Sequence, residues 1–266
     1  MKTIFEKAFN GCVLCSRVLL LLFAAAASAS ETADAGADAR RGQFEVTYTI
    51  ATLLDQVTTE AVTEYMDVNS DVTWQVYVPE AYDPGKPAGL MVYISPTDKG
   101  WLPRRWQPVI DDSNLIWIAA HDSGNEKIVA IRMLYAVLGP QIVRSMYHID
   151  PDRVYLSGFS GGGKVSGIVA INFANVFRGA IYICGAEHWL EDPPAHFEHV
   201  EKNRYVFLTG SNDFNRDLTS RIFRKYEAAG LRNIEFIKVP RMGHSNPPTR
   251  YFQMAIDFLD QRIGPE

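Results

Sequence analysis

The sequence predicts one α/β domain built on a mostly parallel, doubly wound sheet, and three observations carry that expectation. Short β-branched or aromatic runs alternate with longer stretches of helical periodicity. Several runs, Leu90-Met91-Val92-Tyr93-Ile94 above all, are apolar at consecutive positions, as strands buried on both faces are. The composition, 47% apolar and 21% charged over 266 residues, lets the chain bury a large core without a metal or a crosslink. A net charge of −5 with no long run of one sign argues against a nucleic-acid partner.

The first thirty residues differ in kind from the rest. Lys2, Lys7 and Arg17 precede the apolar run from Val18 to Phe23 and an alanine tract, and Ala27-Ser28-Ala29 has the small-x-small pattern of a signal-peptidase site. Residues 1–29 are therefore expected to be a signal peptide. The stretch from Val18 to Ala27 falls well short of the roughly 20 apolar residues that span a bilayer, so no stable membrane anchor is expected after cleavage. Export to the periplasm or the medium follows. Cys12 and Cys15 have C-x-x-C spacing but would leave with the leader, and Cys184 alone can make no intramolecular disulfide. Residues 30–42 carry no large apolar side chain and read as a flexible linker. Residues 43–266 are the folded domain, with no internal repeat and no second linker.

Strands are expected over Phe44 to Ile50, Thr73 to Val78, Leu90 to Ile94, Leu115 to Ala119, Val154 to Ser157, Ala180 to Cys184, Tyr205 to Thr209 and Glu235 to Val239. Helices are expected from Lys127 to Tyr147, where Pro140 is a candidate kink, from Asp217 to Ala229, and from Thr249 to Ile263. In the last, Phe252, Ile256, Leu259 and Ile263 share one stripe. Such an alternation puts an active site at the carboxyl ends of the strands.

The strongest local signal is Gly158-Phe159-Ser160-Gly161-Gly162. It follows a strand and opens a small-residue helix, the strand-turn-helix setting in which a serine is presented on a strained turn. A Cβ at position 158 or 162 would crowd the strand and helix that meet there. No nucleotide-binding glycine spacing accompanies it. A serine hydroxyl needs a base to take its proton and a third group to orient the base. The chain supplies both at the ends of later strands: Asp213 in Gly210-Ser211-Asn212-Asp213, and His244 in Met242-Gly243-His244, the one histidine of six that follows Asp213. Asp217 is the rival acid, read more simply as the N-cap of the next helix.

Taken with Asp150-Pro151-Asp152-Arg153-Val154-Tyr155-Leu156-Ser157 before the motif and Val76-Tyr77-Val78-Pro79-Glu80-Ala81-Tyr82-Asp83-Pro84-Gly85 near the start of the domain, these segments resemble secreted α/β-hydrolase esterases. The nearest kinds are polyhydroxybutyrate depolymerase-like and feruloyl esterase-like enzymes. The resemblance runs over residues 73 to 250 or so. It implies an α/β-hydrolase catalytic domain, here with about eight strands, and the stretch between Cys184 and Tyr205, about twenty residues rich in Glu, His and Pro, is too short and polar for a large apolar lid. It further implies that Ser160 is the nucleophile, His244 the general base and Asp213 the orienting acid of acyl transfer to water. The oxyanion would be held by the Gly161 amide and a second amide after Ile94. Family members carry His-Gly there, whereas this chain reads Ser95-Pro96-Thr97, and since proline has no N–H, Thr97 is the expected donor.

Trp101, Trp106, His188 and Trp189 are candidate substrate contacts, aromatic groups in loops expected to border the site. His196 and His199 have near-helical spacing but lack an evident third ligand, so neither metal nor organic cofactor is expected. The expected substrate is a small-molecule or polymeric carboxylic ester. Two alternatives stand beside it: a serine peptidase of the same fold, and a catalytically weak or silent binding domain, to which the altered Ser95-Pro96-Thr97 segment lends its support.

Overall fold

The computed structural model describes residues 39–189, 194 and 196–261. The expected signal peptide, and the linker up to residue 38, lie outside the described residues. The eight expected strands are all present: β1 (Gly42–Thr49), β2 (Asp71–Val78), β3 (Ala88–Ile94), β4 (Leu115–Ala120), β5 (Ile149–Phe159), β6 (Gly179–Ile183), β7 (Arg204–Gly210) and β8 (Ile234–Val239). They form one sheet in the order β1-β2-β4-β3-β5-β6-β7-β8. β2 runs antiparallel to both of its neighbours, and the pairings from β4 across to β8 are parallel.

The consecutive apolar runs are explained by two cores, one on each face of the sheet. Leu90, Val92 and Ile94 of β3 enter one core and Met91 and Tyr93 the other. Tyr205 and Phe207 of β7 likewise oppose Val206 and Leu208. β5 is longer than expected because Asp150 to Arg153 form an irregularity: Ala88 pairs with Ile149 but Leu90 already pairs with Val154. The expected segment Val154 to Ser157 is its regular part.

Seven helices complete the described layers: α1 (Gln56–Val62), α2 (Gln107–Asp112), α3 (Val129–Arg144), α4 (Gly161–Asn172), α5 (Phe197–Val200), α6 (Arg216–Ala228) and α7 (Thr249–Asp260). Periodicity located α3, α6 and α7, whereas α1, α2 and α5 are too short to show a period. Pro140 is carried inside α3. In α7 the stripe of Phe252, Ile256 and Leu259 is buried as expected, but the helix ends at Asp260 and Ile263 lies outside the described residues. No helix among the described residues is long and apolar enough to cross a membrane.

Trp106 is not a substrate contact. Its ring stacks on Phe252 of α7 with centroids 4.1 Å apart, it is wholly buried, and its Nε1–H donates to the Pro247 carbonyl at 3.0 Å. A loop tryptophan placed opposite an apolar helix face fills the core instead of the cleft. Asp217 is not the N-cap of α6 either: Asn215 holds that position, and Asp217 sits in the first turn, exposed and paired with Arg216.

Candidate active site

At the carboxyl end of β5 the chain turns sharply into α4, and Ser160 stands on the turn with φ 57° and ψ −116°. For a side chain with a Cβ this backbone costs about 1–3 kcal/mol, so the surroundings must over-determine it. They do so by close packing. A Cβ at Gly158 would lie 2.4 Å from the Gly162 backbone, and one at Gly162 would lie 1.9 Å from the Ile94 carbonyl oxygen. The Ser160 N–H donates to the Ile183 carbonyl of β6 at 2.8 Å, which ties the turn to the next strand.

His244 reaches Ser160 from the loop after β8, its Nε2 2.9 Å from Ser160 Oγ. On the other side of the ring, Nδ1 is 2.7 Å from Asp213 Oδ1. Asp213 leaves the end of β7, and its side chain is fully buried. Two further donors meet it, Thr209 Oγ1–H on Oδ2 at 2.7 Å and the Asn215 N–H on Oδ1 at 3.0 Å. A carboxylate held by three donors fixes the imidazole proton on Nδ1 and leaves Nε2 free to accept from the serine hydroxyl. The structure thus joins Ser160, His244 and Asp213 in one hydrogen-bonded line, drawn from three strand ends.

Two phenylalanines that sequence reasoning passed over pack against the imidazole. Phe159 lies 4.8 Å from the His244 ring and Phe214 4.1 Å from it, centroid to centroid. Phe214 is 76% exposed and its ring is tilted 30° to the imidazole, so it meets His244 while much of the side chain borders solvent. The signal for it was present: a large aromatic next to the acid in an otherwise polar loop. Cys184, buried at the end of β6, completes the underside of the site. Its Sγ, the Asp213 carboxylate and a His244 ring nitrogen lie within 4.8 Å of one another. Burial, with the Asp213 charge beside it, pushes the thiol up to about 12, and a protonated thiol is a poor metal ligand or nucleophile.

The other expected contacts are distributed differently. Trp101 is 57% exposed after the loop that leaves β3, with the Lys99 ammonium 6.0 Å from its ring. His188 and Trp189 pack on Tyr226 of α6, at ring separations of 6.1 and 5.0 Å. Tyr226 lies ten residues, roughly 15 Å, along α6 from Arg216 at the Asp213 end. Trp189 is a core residue, therefore, and both rings pack toward the far end of α6 from Asp213. His196 and His199 face Glu198 at 3.5 and 3.9 Å, an ion-pair arrangement on the surface. The Gly161 amide opens α4 beside Ser160 as expected. The Thr97 amide is not a free donor, because its N–H bonds to Ser95 Oγ at 3.1 Å.

No family model matches the chain, and no curated protein matches its sequence. Solved structures match its shape. A serine-to-alanine mutant of the feruloyl esterase module of Clostridium thermocellum, complexed with sinapinate, superposes with a TM-score of 0.62 at 14% identity, covering 89% of this chain and 97% of that one. An S-formylglutathione hydrolase of Staphylococcus aureus gives 0.57 at 14% identity, covering 82% and 95%. A Bacteroides ovatus protein assigned by name to dipeptidyl aminopeptidase IV gives 0.59 at 12% identity over 82% of this chain, which spans only 35% of that longer one. This chain has the α/β-hydrolase fold. At such identities the likeness concerns architecture, and the chemistry rests on the site.

Proposed function

We propose that this protein is an exported serine hydrolase that cleaves carboxylic esters through an acyl-enzyme intermediate. The observation that carries the reading is the line from Ser160 Oγ to His244 Nε2 at 2.9 Å and from His244 Nδ1 to Asp213 Oδ1 at 2.7 Å, set on a strained serine turn. In the first half-reaction His244 Nε2 takes the Ser160 proton as Oγ attacks the ester carbonyl, and the Gly161 N–H stabilises the oxyanion. Collapse expels the alcohol, which leaves with that proton from His244. In the second half-reaction His244 Nε2 takes a proton from water as water attacks the acyl carbonyl, and collapse releases the acid while that proton passes from His244 to Ser160 Oγ. Asp213 holds the imidazole in the working tautomer throughout and offsets its positive charge.

The feruloyl esterase neighbour favours ester over peptide substrates, since this chain covers 97% of its length and 35% of the peptidase's. The leader read in residues 1–29 supports export. A fluorophosphonate probe tests the serine hydrolase directly: the mature protein should be labelled, and Ser160→Ala should abolish both labelling and hydrolysis of an aryl ester. A wild-type protein that neither labels nor turns over any ester or peptide would make it a silent binding domain. Faster turnover of peptide anilides than of matched esters would make it a peptidase.

A further inference from the structure

An oxyanion is held best by two donors, and the segment that usually supplies the second one does not offer it here. Pro96 has no N–H, and the Thr97 amide is committed to Ser95 Oγ at 3.1 Å. A different group stands at the place. A Cβ built on Gly161 would lie 2.1 Å from Asn125 Oδ1, 2.9 Å from its Cγ and 3.2 Å from its Nδ2. A Cβ sits about 2.5 Å from the nitrogen of its own residue, so this carboxamide lies beside the Gly161 backbone, whose N–H is the first oxyanion donor on the serine-hydrolase reading. The motif explains glycine at 158 and 162 by the meeting of strand and helix. At 161 a Cβ would instead meet the Asn125 carboxamide, the end of an exposed side chain that would have to move aside.

The loop that carries Asn125 is fixed to the end of β3. The Asn125 N–H donates to the Pro96 carbonyl at 3.0 Å, and the Gly124 N–H donates to Asp98 Oδ1 at 3.3 Å. Buried Arg132 of α3 joins the two segments from beneath, its Nε on the Ser123 carbonyl and one terminal nitrogen on the Ser95 carbonyl, each at 2.9 Å. The backbone is held while the residue as a whole is exposed. Rotation about its last torsion, which is broad and two-fold, exchanges Oδ1 for Nδ2.

We propose, resting on the serine-hydrolase reading, that the Asn125 side chain is the second oxyanion donor, its Nδ2–H completing the hole begun by the Gly161 amide. Charge develops on the carbonyl oxygen only as the tetrahedral intermediate forms, so a donor aimed there acts on kcat more than on KM. The test is steady-state kinetics on an aryl ester with variants whose thermal unfolding matches wild type. Asn125→Ala should lower kcat about a hundredfold with KM within a few-fold. Asn125→Leu, close in shape and uncharged but with no hydrogen to give, should be no better than Ala, an outcome that a merely space-filling role would not produce, and Asn125→Asp, which also adds charge beside the oxyanion, should be no better than either. Gly161→Ala keeps its amide hydrogen and displaces Asn125, so it should be impaired alone and add little to Asn125→Ala. Retention of more than half the wild-type kcat by Asn125→Ala, a loss carried in KM, an active Asn125→Leu or Asn125→Asp, or multiplicative losses with Gly161→Ala would each overturn the assignment. A wild-type protein that fails to label with fluorophosphonate would instead strike the reading beneath it.

Discussion

Replacing Asp213 by asparagine isolates what the carboxylate contributes, because the structure dictates how the amide must sit. Oδ1 accepts from His244 Nδ1 and from the Asn215 N–H, and Oδ2 accepts from the Thr209 hydroxyl. Turned one way, an amide NH2 would confront two N–H donors at the Oδ1 position. Turned the other way it meets only Thr209, whose hydroxyl can rotate to accept. The second orientation keeps the amide oxygen on His244 Nδ1, so the imidazole tautomer survives and the negative charge alone is lost. A unit charge pair about 4 Å apart at an effective dielectric of about 20 is worth roughly 4 kcal/mol, which is about a thousandfold in kcat. Were the tautomer reversed, the loss would approach about ten-thousandfold. Steady-state kinetics give the magnitude, and imidazole nitrogen NMR reports the tautomer. Asp217→Asn is the control: its exposed pair with Arg216 is worth little, and kcat should not change. If Asp213→Asn keeps more than a tenth of the wild-type kcat, or if Asp217→Asn falls with it, the assignment of the acid fails.

Two further predictions use groups away from the chemistry. Tyr93, Tyr155, Tyr182, Tyr205 and Tyr226 are held neutral by burial well above the ordinary phenol range, so above about pH 10 the unfolded chain ionises them and the folded chain does not. Stability therefore falls as pH rises, each tyrosine shifting the folding equilibrium about tenfold per pH unit. Five together approach five powers of ten, enough to consume a typical domain's stability within one to two units. Phenolate absorbance should appear in two steps, the second coinciding with loss of circular dichroism; a single smooth step with the fold intact would refute this. Cys184 should be silent to a disulfide reagent at pH 8 in the native protein, since burial and Asp213 keep its thiol protonated. If the proposed leader is removed, the unfolded protein should show one thiol. Three thiols would mean that Cys12 and Cys15, and with them the leader, had been retained.

Elements governed by local physics were legible in the chain. The strands and the long amphipathic helices follow from which positions must be apolar, and Ser160, Asp213 and His244 follow from chain order at strand ends. What escaped depends on which segments meet. Trp106 reads as a cleft aromatic until Phe252, 146 residues later in the chain, is found stacked upon it. Trp189 reads the same way until Tyr226 is found beside it. Thr97 reads as a free amide donor because nothing in a linear argument says that Ser95, two residues earlier, turns its hydroxyl onto that N–H.

Asn125 is the sharpest case of this kind. In the sequence it belongs to Asp122-Ser123-Gly124-Asn125, which signals a turn and nothing more. The structure makes that turn a consequence of three long-range ties: to Pro96, to Asp98 and, through Ser123, to buried Arg132. The same Arg132 holds the Ser95 carbonyl, so one guanidinium fixes both the loop that lost its free amide and the loop that brings a carboxamide in its place. Its pKa is lowered to about 10 by burial, still far enough above neutrality for the clamp to remain charged under working conditions. The departure from His-Gly after β3 and the glycine at 161 are then two sides of one rearrangement. A side chain there would push Asn125 aside, and with Asn125 in place the hole no longer needs the amide that Ser95 has taken.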